Sequence, residues 1–209
     1  MFLVNEDFKT FIKLYPITSM LVGICTIITI SITFMGGYTS KNILLLGGYE
    51  SDLVNDGQIW RLITYAVGHC SYTHFFLNMV FIIIFSRPLE QILGKVKFLF
   101  SYLFLSVFTG VFIHFLSNSN SLSAGASGIG YGLLGMYVYL IIRYGEKFPK
   151  HEKNFIILFT LIGFAMTVLL PNINLSGHLG GFIGGIILSI FIIKRENYIR
   201  FSTTYDNSH

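Results

Sequence analysis

Ser127, His178, His74 and Asn78 lie inside stretches that otherwise read as membrane-buried helix. Hydrocarbon penalises an uncompensated polar group by several kcal/mol, so a hydroxyl, an imidazole and two further hydrogen-bond donors at that depth form a candidate site. Gly125-Ala126-Ser127-Gly128 places the serine at a loop-to-helix junction. Small neighbours there permit close backbone approach, and the first helical N–H groups lack intrahelical partners. With His178 as general base, Ser127 is the nucleophile for covalent acyl transfer. His74 and Asn78, four residues apart on one helical face, can join the Ser127 backbone N–H in stabilising an oxyanion. Tyr131, four residues after Ser127, is placed to pack on the imidazole and orient it. No Asp or Glu falls within either helix, so the pattern predicts a dyad rather than a triad.

Each residue also has a plainer use. Ser127 could be only an N-cap, the glycines only helix packing, His74 and Asn78 interhelical glue, and His69 a surface residue. His69, His74, His114 and His178 could instead gather round a metal, though no carboxylate or thiolate cluster completes the set.

Bringing Ser127 and His178 together is a task for glycine. Gly177, Gly181 and Gly185 are spaced by four and share a helical face, as do Gly180 and Gly184. Gly128, Gly132 and Gly135 supply a matching small face on the helix that begins at Ser127. If the two faces meet, Ser127 and His178 converge at their outer ends.

The chain has 209 residues, of which 53% are hydrophobic and 11% charged, and its mean hydropathy of +0.68 excludes a soluble domain. The fold expected is an all-α polytopic membrane protein, one domain over 1–209, with six spans at 17–35, 74–89, 97–116, 127–143, 155–170 and 176–193. The first stretch lacks a basic leader and a small-residue cleavage site, which predicts a retained span. Arg87, Lys95 and Lys97 cluster at the end of the second span, Arg143, Lys147, Lys150 and Lys153 at the end of the fourth, and Lys194, Arg195 and Arg200 after the sixth, whereas 117–126 and 171–175 carry no Lys or Arg. Both termini, the segment 1–16 and the tail 195–209, are therefore expected on the cytoplasmic side. These loops account for the net charge of +4, so no nucleic-acid partner is inferred. Cys25 and Cys70 suggest neither a disulfide framework nor a metal site.

The connection 36–73 mixes apolar and acidic residues and reads as a segment in the interface plane, with Trp60 and Arg61 as interfacial anchors. The helix from Ser127 to Arg143 has about 16 residues, or roughly 24 Å, short of a hydrocarbon core of about 30 Å. Its outer end should be submerged, and irregular backbone at that depth implies a hydrated cavity open to the outside.

Taken in order, Trp60-Arg61, His74 with Asn78, Gly125 to Gly128 with Tyr131, and His178 with Gly181 and Gly185 resemble the rhomboid family of intramembrane serine proteases over about residues 58–195. The resemblance implies a six-helix bundle with an outer interfacial loop between the first and second spans, a water-filled cavity, Ser127 as nucleophile, His178 as base, and His74 and Asn78 as oxyanion donors. It further implies that Glu90 and Gly94 belong to the inner end after the second span, and that the fifth span with the loop 171–175 acts as a gate. The chain is expected to stand without the extra soluble domain and extra span of some relatives. The partners implied are single-pass membrane proteins in a lipid bilayer, cut without a cofactor; the oligomeric state is not indicated. Because the base must be neutral to take a proton, activity should fall on acidification around the ordinary imidazole value of about 6.5, displaced by the surroundings. Two rivals use the same residues: a noncatalytic binder of transmembrane helices, and a small polar-solute channel. A compact six-span layout suggests a bacterial plasma membrane.

Overall fold

The computed structural model of the chain describes residue 2, residues 6–117, 122–171 and 173–194, and residue 196. The expected tail over 195–209 lies outside the described residues apart from Glu196. A short α1 (Phe8–Leu14) leads into α2 (Pro16–Phe34). Three brief helices, α3 (Ser40–Leu45), α4 (Ser51–Asn55) and α5 (Arg61–Thr64), then fill the connection to α6 (Tyr72–Leu93). The remaining helices are α7 (Lys95–Leu116), α8 (Ser127–Tyr144), α9 (Lys150–Leu169) and α10 (Leu175–Ile192). Each of the six expected spans is one of the long helices, with ends moved by a few residues.

Local chemistry starts and stops them. Pro16 occupies the first turn of α2, where a missing N–H costs nothing. Ser71 caps α6 by accepting from His74 N, and Asn174 caps α10 by accepting from Gly177 N. Gly94, at φ +77°, is the single residue that turns α6 into α7, a conformation that disfavours any side chain.

α2, α6, α7, α9 and α10 are long and apolar enough to cross a membrane. α8 is diluted by four glycines and four tyrosines, and residues 128–137 are all buried. It is the post around which the others stand, so its sequence answers to protein neighbours rather than to lipid. Its tightest partner is α10. A Cβ built on Gly181 would fall inside the contact radius of the Gly128 carbonyl oxygen, and one on Gly185 would do the same to Gly132 O. The two glycine faces meet as the spacing predicts. Gly180 and Gly184 turn instead to α7, against Phe112 and Phe108.

At the opposite end of the bundle from α8's first turn, Glu90 of α6 reaches the start of α2. Its oxygens accept from Ile17 N at 2.8 Å, Thr18 N at 2.9 Å and Thr18 Oγ1 at 2.7 Å. Tyr15 offers α2 no side-chain cap, so Glu90 supplies one from another helix and satisfies donors that water cannot reach. Glu90→Ala is expected to destabilise the fold by about 2–4 kcal/mol by stranding three donors, two of them on the buried Thr18. An unfolding midpoint in detergent equal to that of the unaltered protein would contradict this.

Arg61 corrects the expectation of an interfacial anchor. It is 8% exposed and donates from Nη1 to the carbonyls of Leu44, at 2.8 Å, and Gly48, and from Nε to Gln58 Oε1 at 2.8 Å. The end of α3 leaves carbonyls without intrahelical partners, and a planar guanidinium with five donors can collect several at once. Trp60 beside it stays exposed.

Candidate active site

The segment 122–126 before Ser127 is irregular, and several of its backbone groups are tied down by neighbours. Tyr49 and Ser123 exchange N–H···O bonds of 2.8 and 3.0 Å, and Gly125 N donates to Tyr65 O at 3.0 Å. Asn174 Nδ2 donates to Ser123 Oγ at 3.1 Å while its Oδ1 caps α10, so one side chain fixes the approach to Ser127 and the helix carrying His178. The connection 36–73 thus serves as the mould for the loop.

Ser127 opens α8, but the N-cap position belongs to Ala126. The serine hydroxyl is free of capping duty and lies 3.0 Å from His178 Nε2. Tyr131 stacks on the imidazole with ring centroids 4.0 Å apart and planes at 14°, an almost parallel contact that fixes the plane of the ring. The other nitrogen, His178 Nδ1, lies 2.7 Å from Thr167 Oγ1 on α9.

Ser127 and His178 border a cavity of about 350 Å³, shared with His74, Asn78, Gly125 and Gly128. All seven residues expected at a site are therefore gathered at one end of the bundle, Tyr131 behind the imidazole and the other six around the cavity. Asn78 Nδ2 donates one proton to His74 O at 2.7 Å, which leaves its second for a ligand. Gly125 makes room for the His74 ring, since a Cβ there would stand 2.6 Å from His74 Cε1. Exposed Cys70 stands at the cavity edge. No Asp, Glu, Lys or Arg lines the cavity among the described residues.

His69 is not the surface residue that its loop position suggests. It is fully buried, edge-on to His74 at 5.3 Å and Phe75 at 5.4 Å. Burial, with the nearby His74, pushes its imidazole down to about 3, so it stays a neutral packing wall at ordinary pH. Among the described residues no group of three His, Cys, Asp or Glu is placed to hold a metal.

Thr167 and Asn174 are the site residues that sequence reasoning missed. A lone threonine in an apolar span reads as ordinary helix, and the available signal was only its place near the outer end of the fifth span, level with His178.

A family model described as the rhomboid domain matches residues 56–195. The chain is 30% identical over 202 residues to the YdcA protein of Bacillus subtilis, assigned to the rhomboid proteases, a match covering 94% of this chain and 98% of that one. It is 27% identical over 175 residues to the rhomboid protease GlpG of Haemophilus influenzae, covering 82% and 88% of the two chains. With the rhomboid protease GluP of Bacillus subtilis it shares 31% identity over 150 residues, 72% of this chain and 29% of that one.

Proposed function

The chain belongs to the rhomboid family, and from that premise we propose that it is an intramembrane serine endopeptidase that cuts single-pass membrane proteins through a Ser127–His178 dyad. The observation that carries this reading is the 3.0 Å separation of Ser127 Oγ and His178 Nε2 across two helices in backbone contact.

The hydroxyl proton of Ser127 passes to His178 Nε2 as Oγ bonds to the scissile carbonyl carbon. The carbonyl oxygen becomes an oxyanion, held by the Ser127 backbone N–H, the free Asn78 proton and His74. Collapse breaks the C–N bond, and the imidazolium returns its proton to the leaving amine. Water then repeats the sequence on the acyl-enzyme, using the same base, and restores Ser127.

A helical peptide bond is hydrogen-bonded and shielded, so the substrate must unwind locally before Ser127 reaches it. Gly, Pro or polar residues near the cut lower that cost. On this reading both termini are cytoplasmic and the cavity opens to the outer side of a cell membrane, which is supported by the Lys and Arg residues clustered at the ends of α6, α8 and α10.

The test is incubation of purified protein in liposomes with a panel of single-span substrates, product masses locating the cut, alongside a fluorophosphonate probe. Cleavage near the outer end of a substrate span, with labelling at Ser127, is the expected result. An unlabelled protein that leaves every substrate intact would overturn the reading in favour of a binder.

A further inference from the structure

Serine hydrolases with a carboxylate use it to hold the base in one tautomer. Among the described residues the cavity here has none, yet an imidazole without such a partner carries its proton on either nitrogen. Resting on the Ser127–His178 reading, we propose that Thr167 is a positioning residue that selects the tautomer of His178 able to take a proton from Ser127.

The argument is a proton count around one oxygen. Thr167 Oγ1 lies 2.8 Å from the Gly163 carbonyl, 2.8 Å from Tyr131 Oη and 2.7 Å from His178 Nδ1. A hydroxyl has one proton to give and two lone pairs. The Gly163 carbonyl can only accept, so the Thr167 proton goes there. Both remaining contacts must then be donors towards Oγ1: the Tyr131 hydroxyl and His178 Nδ1–H. Any other assignment leaves two acceptor oxygens, Thr167 Oγ1 and Gly163 O, facing each other at 2.8 Å in a buried site. With its proton on Nδ1, the neutral imidazole presents a bare Nε2 to Ser127 Oγ, the arrangement that proton withdrawal requires. In the opposite tautomer Nε2–H would donate to the serine and the pair would be inert.

The placement of Thr167 in its helix agrees. α9 buries only Glu152, Ile156 and Thr167, and Thr167 is the one at the dyad end. The ring of Tyr131 fixes the plane of the imidazole, and its hydroxyl, by donating to Oγ1, reinforces the direction of the Thr167 contact. The Tyr131 ring therefore sets orientation, while Thr167, with the Tyr131 hydroxyl behind it, sets the location of the proton.

Two substitutions in the full chain separate the hydroxyl from the packing: Thr167→Val removes it at nearly constant volume, and Thr167→Ser retains it. With a single-span substrate in liposomes, Thr167→Val is expected to lower kcat by about 10- to 100-fold while KM stays within about twofold, and Thr167→Ser to recover most of the loss. Ring-nitrogen NMR of histidine-labelled protein, with the His178 signals assigned by their loss in His178→Asn, should show Nδ1 protonated and Nε2 bare, with the opposite tautomer appearing in Thr167→Val. An unchanged kcat in Thr167→Val, or a protonated Nε2 in the unaltered protein, would overturn the proposal. If the unaltered protein cuts nothing, the protease reading fails by itself, while the tautomer measurement still decides the role of Thr167.

Discussion

Replacing Ser127 by alanine is expected to reduce cleavage of a single-span substrate by about 10⁴-fold or more, and replacing His178 by alanine to do the same. The two changes together should cost no more than either alone. Under the proposed mechanism each removes one half of a single proton transfer across 3.0 Å, and a nucleophile without its base, or a base without its nucleophile, has nothing further to lose. Fold stability should barely follow in Ser127→Ala, because Ala126 rather than Ser127 occupies the helix cap and one neutral hydrogen bond contributes about 1 kcal/mol. The measurement pairs initial rates in liposomes with unfolding midpoints in detergent. A Ser127→Ala protein that keeps a tenth of the rate, after its preparation is shown free of unaltered chain, would remove the serine from the mechanism.

Gly181→Ala tests the geometry beneath that chemistry. The added methyl would overlap the Gly128 carbonyl oxygen, a backbone atom one residue from Ser127 that has no rotamer through which to escape. α8 and α10 must then part, and with them Ser127 and His178. Overpacking of this kind costs about 3 kcal/mol or more, and displacing reacting groups by about an ångström costs about 10²-fold in rate. The matched control is Gly23→Ala in α2, where an added Cβ meets nothing within 4 Å. There the gain in helix propensity, up to about 1 kcal/mol, should leave stability unchanged or raise it. Equal midpoints and equal fluorophosphonate labelling rates for the Gly181→Ala and Gly23→Ala proteins would show that close approach of the helices is not what aligns the pair.

The sequence announces the α8–α10 contact because glycine at a spacing of four has few other uses in a membrane helix, and the contact in turn aligns Ser127 and His178. The spans were visible for the same reason: bilayer thickness imposes a length on apolar runs. What stayed hidden depends on which way a side chain turns. Arg61 beside Trp60 looks like an anchor until the carbonyls of Leu44 and Gly48 are seen to converge on it. His69, in a polar-looking loop, turns inward against His74 and Phe75. Thr167 carries no one-dimensional mark at all. Its three contacts lie on α8, α10 and its own preceding turn, and only tertiary packing makes them coincide.

The absence of formal charge among the described residues around the cavity has a consequence for how the protein meets its targets. Stowing a lone carboxylate beneath a lipid leaflet would cost several kcal/mol in solvation. In the proposed reaction the hydroxyl and imidazole start without charge, and opposite charges appear as neighbours only for the lifetime of the tetrahedral intermediate. Such a cavity projects little field into the surrounding water, so it draws no soluble peptide from a distance. Under the proposed reaction, encounters are governed by two-dimensional diffusion within the bilayer, and selection falls on how readily a passing helix comes apart.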